Sequence, residues 1–219
     1  MVAEAQTQGR GRSGRAWQSE PGASLTFSLG LPYAPADWSG LSLAVGVSIV
    51  ESLHPDLRLK WPNDVCWSNA GTLRKLGGIL IETQMGAASA ETPARRWCVV
   101  GVGLNLRTPH IHSPGLAPVG WSEVTGEAAP QGPDLLQACM AALVPAMRAF
   151  ELHGFAPLAE RFAQALYLPN EGQLDNRQLL DALLHSLQQQ GVALHWNSPR
   201  KPDDFKPGTS GQPDWVFDC

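Results

Sequence analysis

Charge, ordered cysteines and long apolar runs are all scarce in this 219-residue chain, and each shortage removes a class of protein. Only 16% of residues are charged against 43% hydrophobic, which suits a globule with a core and disfavours a coiled coil or a wholly disordered chain. Its four cysteines, Cys66, Cys98, Cys139 and Cys219, lie far apart without a C-x-x-C pair, so neither a zinc site nor a disulfide framework is signalled and reduced thiols are expected. No run of about 18 apolar residues is available for a membrane span, the longest candidate at 41–53 being broken by Ser42, Gly46, Ser48 and Glu51. The opening residues reach three arginines by Arg15 without the apolar stretch of a signal peptide, so a cytoplasmic location with no membrane partner is expected. Nucleophilic Ser-His-Asp or Cys-His arrangements are missing as well, and the six histidines show no metal spacing beyond His110-x-His112. Sixteen Lys and Arg against 20 Asp and Glu leave a net charge of −4, which argues against a surface given over to nucleic acid and leaves room for a local basic patch.

What the chain does contain is glycine and proline, 22 and 18 residues, punctuating short apolar runs. Alternation over 25–31 predicts a half-buried strand, and 39–53 a helix with Leu43, Val47 and Val50 inward and Ser39 as its N-cap. Strands are expected at 57–60 and 64–67 around Trp61-Pro62-Asn63, with a hairpin turn at Asn69-Ala70-Gly71, and again at 76–82 and 97–106. Loops are expected at 85–95 and 108–133. The stretch 133–151 reads as a helix with Leu135, Leu136, Met140, Leu143, Met147 and Phe150 on one face, followed by helices at 157–166 and 176–190 and an extended Pro-rich tail over 197–219. Strands gathered early and helices late predict an α+β fold, a sheet with its helices mainly on one face.

Four segments carry chemistry. Gln6-Thr7-Gln8-Gly9-Arg10-Gly11-Arg12-Ser13-Gly14-Arg15-Ala16-Trp17 sets three forked guanidinium groups among glycines whose backbone N–H groups can be exposed, a composition suited to carboxylate and phosphate oxygens. Its order is not that of a P-loop, and taken alone it also fits a solvated basic stretch or an arm that binds nucleic acid. Lys60-Trp61-Pro62-Asn63-Asp64 holds an ammonium at the end of a strand beside a rigid turn, where it can meet developing negative charge or simply face solvent. Lys75-Leu76-Gly77-Gly78-Ile79-Leu80-Ile81-Glu82 opens the backbone inside an apolar strand, for a ligand or for a bulge. Gly101-Val102-Gly103-Leu104-Asn105-Leu106 places alternate glycines on one strand face, a floor for a flat ring with an amide at its rim.

In this order and at these separations the four segments resemble the catalytic domain of biotin protein ligase, over about residues 2–162. The resemblance implies a class II aminoacyl-tRNA synthetase-like domain of the biotin and lipoate ligase type, with a mixed sheet, spanning 1–166. Its activity would be to join biotin to ATP, making biotinyl-5′-AMP, and to pass the biotinyl group to one lysine of a biotin carboxyl carrier domain of acetyl-CoA carboxylase or a related carboxylase. Carried over residue by residue, it puts Gln6 at the biotin end and Arg10, Gly11 and Arg12 on the carboxylate and adenylate phosphate. Arg15 would reach the nucleotide phosphates, Trp17 would order the loop, and Lys60 would sit on the reacting carboxylate and α-phosphate. Gly101 and Gly103 would floor the biotin ring, Asn105 would serve ATP with its Mg²⁺, and Trp121 would stack on adenine. Biotin, ATP and Mg²⁺ are thus the implied ligands; no protein metal-ligand set is specified, and a homodimer is compatible.

Against the family pattern, the chain is expected to lack the first strand and helix with their Ser-Thr-Asn motif, and the helix-turn-helix that would bind DNA. Position 13 is Ser where many members carry Arg, and 167–219, a helix plus Pro-rich tail, matches nothing in the family. Competing readings are a catalytically impaired remnant, a nucleic-acid module built on Arg10, Arg12 and Arg15, and a lipoate ligase. ATP-dependent adenylate formation separates the first, and steep salt dependence would mark the second.

Overall fold

A computed structural model describes residues 1–86, 96–110, 115–126 and 132–167. In chain order its elements are β1 (Val2–Ala3), β2 (Gly9–Arg10), β3 (Ala16–Trp17), β4 (Ser24–Pro32), α1 (Leu41–Leu53), β5 (Leu57–Lys60), β6 (Asp64–Asn69), β7 (Thr72–Met85), β8 (Arg96–Asn105), α2 (Trp121–Thr125), α3 (Gly132–His153) and α4 (Ala159–Ala165). Six strands form one sheet in the order β1-β4-β8-β7-β6-β5, and β2 and β3 make a separate hairpin. The main ladders are antiparallel, and parallel bridges Leu59 to Leu166 and Lys75 to Pro118 give the sheet its mixed character.

The alternation read in β4 sends Leu25 and Phe27 into the core, where Val100, Val102 and Leu104 of β8 and Ile79 and Ile81 of β7 join them. α1 lies on that face, and Leu41 through Val50 are all buried because α1 is enclosed by α3, α4, β5 and β7. A helix apolar on every side is the expected form of such a central element. α1 starts differently from the sequence expectation. Gly40, not Ser39, is its N-cap, with φ of 84°, while the Ser39 amide and hydroxyl both donate to Asp37 Oδ1. Glycine is needed there twice over, for the left-handed φ and because a Cβ would lie 2.7 Å from the Phe155 ring.

α3 buries Leu135, Cys139, Leu143, Met147 and Phe150, with Leu136 and Met140 at the margin of that face. Its length and composition would suffice to cross a membrane, yet this face is packed on α1. Tyr33 donates to Met147 O at 2.6 Å and locks the end of β4 to α3. β6 and β7 run longer than expected and meet in a two-residue turn, Ala70 and Gly71 at φ of 47° and 77°, the backbone of a type I′ hairpin. The stretch read as one loop over 108–133 contains α2, a single turn of helix that an averaged loop composition conceals. The expected helix at 157–166 begins as a 3-10 turn, Ala156–Leu158, before α4. The helix at 176–190, the tail at 197–219 and most of the 85–95 loop lie outside the described residues.

Burial pushes the Cys66 and Cys139 thiols up to about 12, and raises Tyr33 as well through burial and the nearby Glu151 carboxylate. Each group is held neutral, so the stability it contributes is complete below its unfolded pKa, about 8.5 for Cys and 10 for Tyr, and is lost as pH rises through the folded value. The folded protein should therefore resist alkylation at Cys66 and Cys139 at pH 8, and at Cys98 because that side chain is fully buried. Its melting temperature should fall steadily between about pH 9 and 12. Mass spectrometry after iodoacetamide and a pH series of melts check both, and rapid labelling of Cys66 in folded protein would contradict the first.

Candidate active site

Strand register builds one wall of the site. Thr26 and Ser28 on β4 stand opposite Gly103 and Gly101 on β8, and those two stand opposite Gly78 and Leu80 on β7. This is the face of the sheet turned away from α1. The β2–β3 hairpin folds over it, and the turn between β5 and β6 closes a third side. Together they line an open cavity of about 890 Å³, within the usual range for a small-molecule site.

The hairpin is shaped by its glycines. A Cβ on Gly9 would lie 2.5 Å from Trp17 O and 2.9 Å from Gln6 Oε1, so only glycine lets β2 approach β3 this closely. Arg12–Gly14 form a 3-10 turn, and the Gly11 amide donates to Arg15 O at 2.7 Å. That bond uses the amide expected to hold the ligand carboxylate. The side chains of Gln6, Arg10, Arg12 and Arg15 line the cavity, as do Trp17, Lys60 and Asn105. Among the described residues no carboxylate pairs with Arg10, Arg15 or Lys60. Asp64, which faces Lys60 across the β5–β6 ladder, is instead bound to Lys75 at 2.6 Å. The cavity therefore presents uncompensated positive charge beside Lys60. Glu82, its acidic lining residue farther along β7, lies four positions from Gly78, roughly 13 Å at strand rise.

The glycine floor is divided. A Cβ on Gly101 would meet nothing closer than Leu80 O at 3.4 Å, so that position is open. Gly103 is covered by the indole of Trp17, which a Cβ there would meet at 2.6 Å. Trp17 Nε1 and Thr26 Oγ1 are buried without a hydrogen-bond partner, two polar atoms in the cavity lining that a ligand could satisfy.

Asn105 donates through Nδ2 to Val119 O at 3.1 Å and more weakly to Lys75 O at 3.4 Å. Its amide nitrogen thus ties β8 to the 115–119 segment, which also pairs with Lys75 through backbone bonds. Only Oδ1 remains for a ligand. Trp121 is placed elsewhere: it is buried at 8% exposure, packs edge-on to His54 at 6.3 Å between ring centroids, and does not line the cavity.

The structure adds residues that motif reading passed over. Thr26 and Ser28 are the polar half of the β4 alternation, a pattern equally consistent with solvent exposure. Asn63 Nδ2 donates to Ile79 O at 2.9 Å and Ile79 N to Asn63 O at 3.0 Å, so the turn after Lys60 is clamped to β7. Tandem glycines 77 and 78 have separate tasks. Gly78 faces the cavity, whereas Gly77 packs against the Gly103 backbone, next to a register shift between Val65 and Cys66. Among the described residues no group of three His, Cys, Asp or Glu side chains gathers to hold a metal.

A model of the biotin/lipoate A/B protein ligase family matches residues 1–101. The bifunctional ligase/repressor BirA of Escherichia coli is 34% identical over 172 residues, covering 74% of this chain and 49% of that protein. The biotin--[acetyl-CoA-carboxylase] ligase of Mycobacterium tuberculosis is 37% identical over 116 residues, covering 48% of this chain and 38% of that protein. Among solved structures, biotin protein ligase from Aquifex aeolicus in complex with biotin and ATP aligns with a TM-score of 0.57 at 27% identity, over 75% of this chain and 67% of that one. The chain spans half or less of the length of these two curated relatives.

Proposed function

We propose, from its similarity to the biotin/lipoate A/B protein ligase family, that the chain is a member of that family and that its cavity activates biotin with ATP and transfers the biotinyl group to a lysine of a biotin carboxyl carrier domain. The carrying observation is that Arg10, Arg15 and Lys60 gather in a cavity of small-molecule size with no carboxylate paired to them among the described residues. Biotin carboxylate and nucleotide phosphate repel each other, by ~4 kcal/mol for unit charges 4 Å apart at an effective dielectric of about 20. Cations fixed on two sides of the cavity offset that repulsion and hold the pair in reach.

In the proposed reaction the carboxylate oxygen attacks the α-phosphorus and the bond to pyrophosphate breaks, leaving a mixed anhydride. The carrier amine then attacks the carbonyl carbon and AMP leaves. Lys60 stands on the reacting oxygens, Arg10 and Arg12 on the carboxylate and α-phosphate, and Arg15 on the outgoing phosphates. Gly101 gives the biotin ring an open floor, with Trp17 as the adjoining wall and Gln6 near the ring. Mg²⁺ would travel with the nucleotide, neutralising phosphate charge, which suits a site where no all-protein cage gathers among the described residues. Asn105 Oδ1 is the amide atom left to face it. Because the anhydride is attacked by the carrier's amine, no nucleophile on this chain is needed. Arg10, Arg12 and Arg15 line a cavity of small-molecule size together with Lys60 and Gly101, which favours a small anion with a ring over a nucleic-acid backbone as their target.

Native mass spectrometry after incubation with biotin, ATP and Mg²⁺ tests the proposal, with circular dichroism as the folding control. Retention of a mass equal to biotinyl-adenylate supports it. A folded chain that releases no pyrophosphate and retains no adenylate would sink it, and retention only with lipoate would redirect it to that substrate.

A further inference from the structure

The Arg12 guanidinium carbon sits 5.7 Å from the centre of the Trp61 ring, inside the range of a cation–π contact. Trp61 is well placed to hold it. The indole packs on the hydrophobic core, and the turn carrying it is clamped by the two hydrogen bonds between Asn63 and Ile79. The hairpin above has no ladder to the main sheet. Two ring contacts join them, in opposite senses: Trp17 of the hairpin lies on Gly103 of the sheet, and Trp61 of the sheet side lies against Arg12 of the hairpin.

From this geometry we propose that Trp61 is the positioning residue that latches the β2–β3 hairpin by stacking on Arg12, so that the guanidinium faces the Lys60 side of the cavity before a substrate arrives. The latch itself is independent of the activation chemistry proposed above, and only its catalytic consequence rests on that reading. Arginine suits the task because a planar guanidinium can meet an aromatic ring through its face while its N–H donors lie in the plane of the group. Holding the hairpin in advance removes part of the ordering cost that would otherwise fall on binding.

The full chain is digested with trypsin in the absence of substrates, following cleavage after Arg10 and Arg15, sites shared by every variant. Trp61→Leu and Arg12→Met should each be cut about tenfold faster than the parent, a change equal to about 1.4 kcal/mol. The double variant should be cut no faster than either single one, and Trp61→Phe, which keeps an aromatic face, should stay within about twofold of the parent. With biotin and ATP, Trp61→Leu should raise KM for biotin while leaving kcat within about threefold, since it loosens a loop and removes no reacting group. Equal cleavage of folded Trp61→Leu and parent, or additive effects in the double variant, would overturn the latch. Should Trp61→Leu lose its circular dichroism, Trp61→Val takes its place in the cycle, with the same criterion of additivity. A parent protein that makes no adenylate defeats the activation chemistry and leaves the digestion result to decide the latch.

Discussion

Replacing Lys60 with methionine should lower pyrophosphate release from biotin and ATP by roughly 100- to 1,000-fold, the loss typical of removing one preorganised donor from the site of developing charge. Three observations set that expectation. Lys60 ends β5 at the cavity edge, its neighbour Asp64 is committed to Lys75, and no other carboxylate among the described residues neutralises it. Methionine keeps the length and the apolar stem, so packing is retained and the change isolates the ammonium. Lys60→Arg should recover only part of the activity, because a planar fork delivers the same charge in another geometry. Steady-state assays of pyrophosphate release, paired with melting curves, give the answer. Unchanged kcat in Lys60→Met, with binding alone weakened, would place the reacting oxygens away from this residue and hand their stabilisation to the arginines.

The site works against the chain's own net charge of −4. Positive groups are gathered by topology: the arginines come from the hairpin before β4, Lys60 from the end of β5, and Lys75 from β7. Asp64 does not cancel Lys60, because the ion pair it makes is with Lys75, at 2.6 Å. Its pairing with Lys75 fixes one ammonium against the sheet and leaves the other for a ligand.

How much of this was legible in the sequence depended on whether the pattern was local. The strand at 25–31, the turn at Asn69-Ala70-Gly71 and the helix at 133–151 follow from alternation, left-handed turn residues and a four- and three-residue spacing, and all three are found. The arginine segment, Lys60, Gly101 and Asn105 were also visible as residue types suited to anions and rings, and the fold does bring them to one cavity. What was not legible depends on partners distant in sequence. Ser39 has the chemistry of a cap, but Phe155 crowds the helix start and makes Gly40 the cap. Trp121 is buried against His54, and Gly103 is covered by Trp17, contacts that no spacing encodes. Thr26 and Ser28 could not be told from surface residues, because alternation fixes which side chains share a face without saying what that face meets.

Gly77→Ala should destabilise the fold by about 3 kcal/mol, the upper range for forcing one carbon into a packed interior. A methyl group there would overlap the carbonyl oxygen of Gly103 and lie 2.8 Å from Leu104 Cδ2. The side chain could turn aside, but the carbonyl belongs to the β7–β8 ladder, where Gly77 stands opposite Leu104 in the middle of the sheet. Relief would require the two strands to part, and the backbone hydrogen bonds beneath the cavity floor would lengthen with them. For a chain of this size the loss corresponds to a fall of roughly 6 to 12 °C in melting temperature. Gly78→Ala is the matched control. Its added carbon would find only ordinary contacts, 3.7 Å from Asn63 O and 3.9 Å from Asp64 Oδ1 and Lys75 Nζ, so the melt should move by no more than about 2 °C. Its effect should fall on the site, since the new methyl group stands beside the Lys75–Asp64 pair in the cavity lining. Thermal melts of the two variants therefore separate two glycines that are indistinguishable in the sequence. A Gly77→Ala protein melting with the parent would mean that the ladder yields at little cost and that the close approach of β7 to β8 is not what requires glycine at this position.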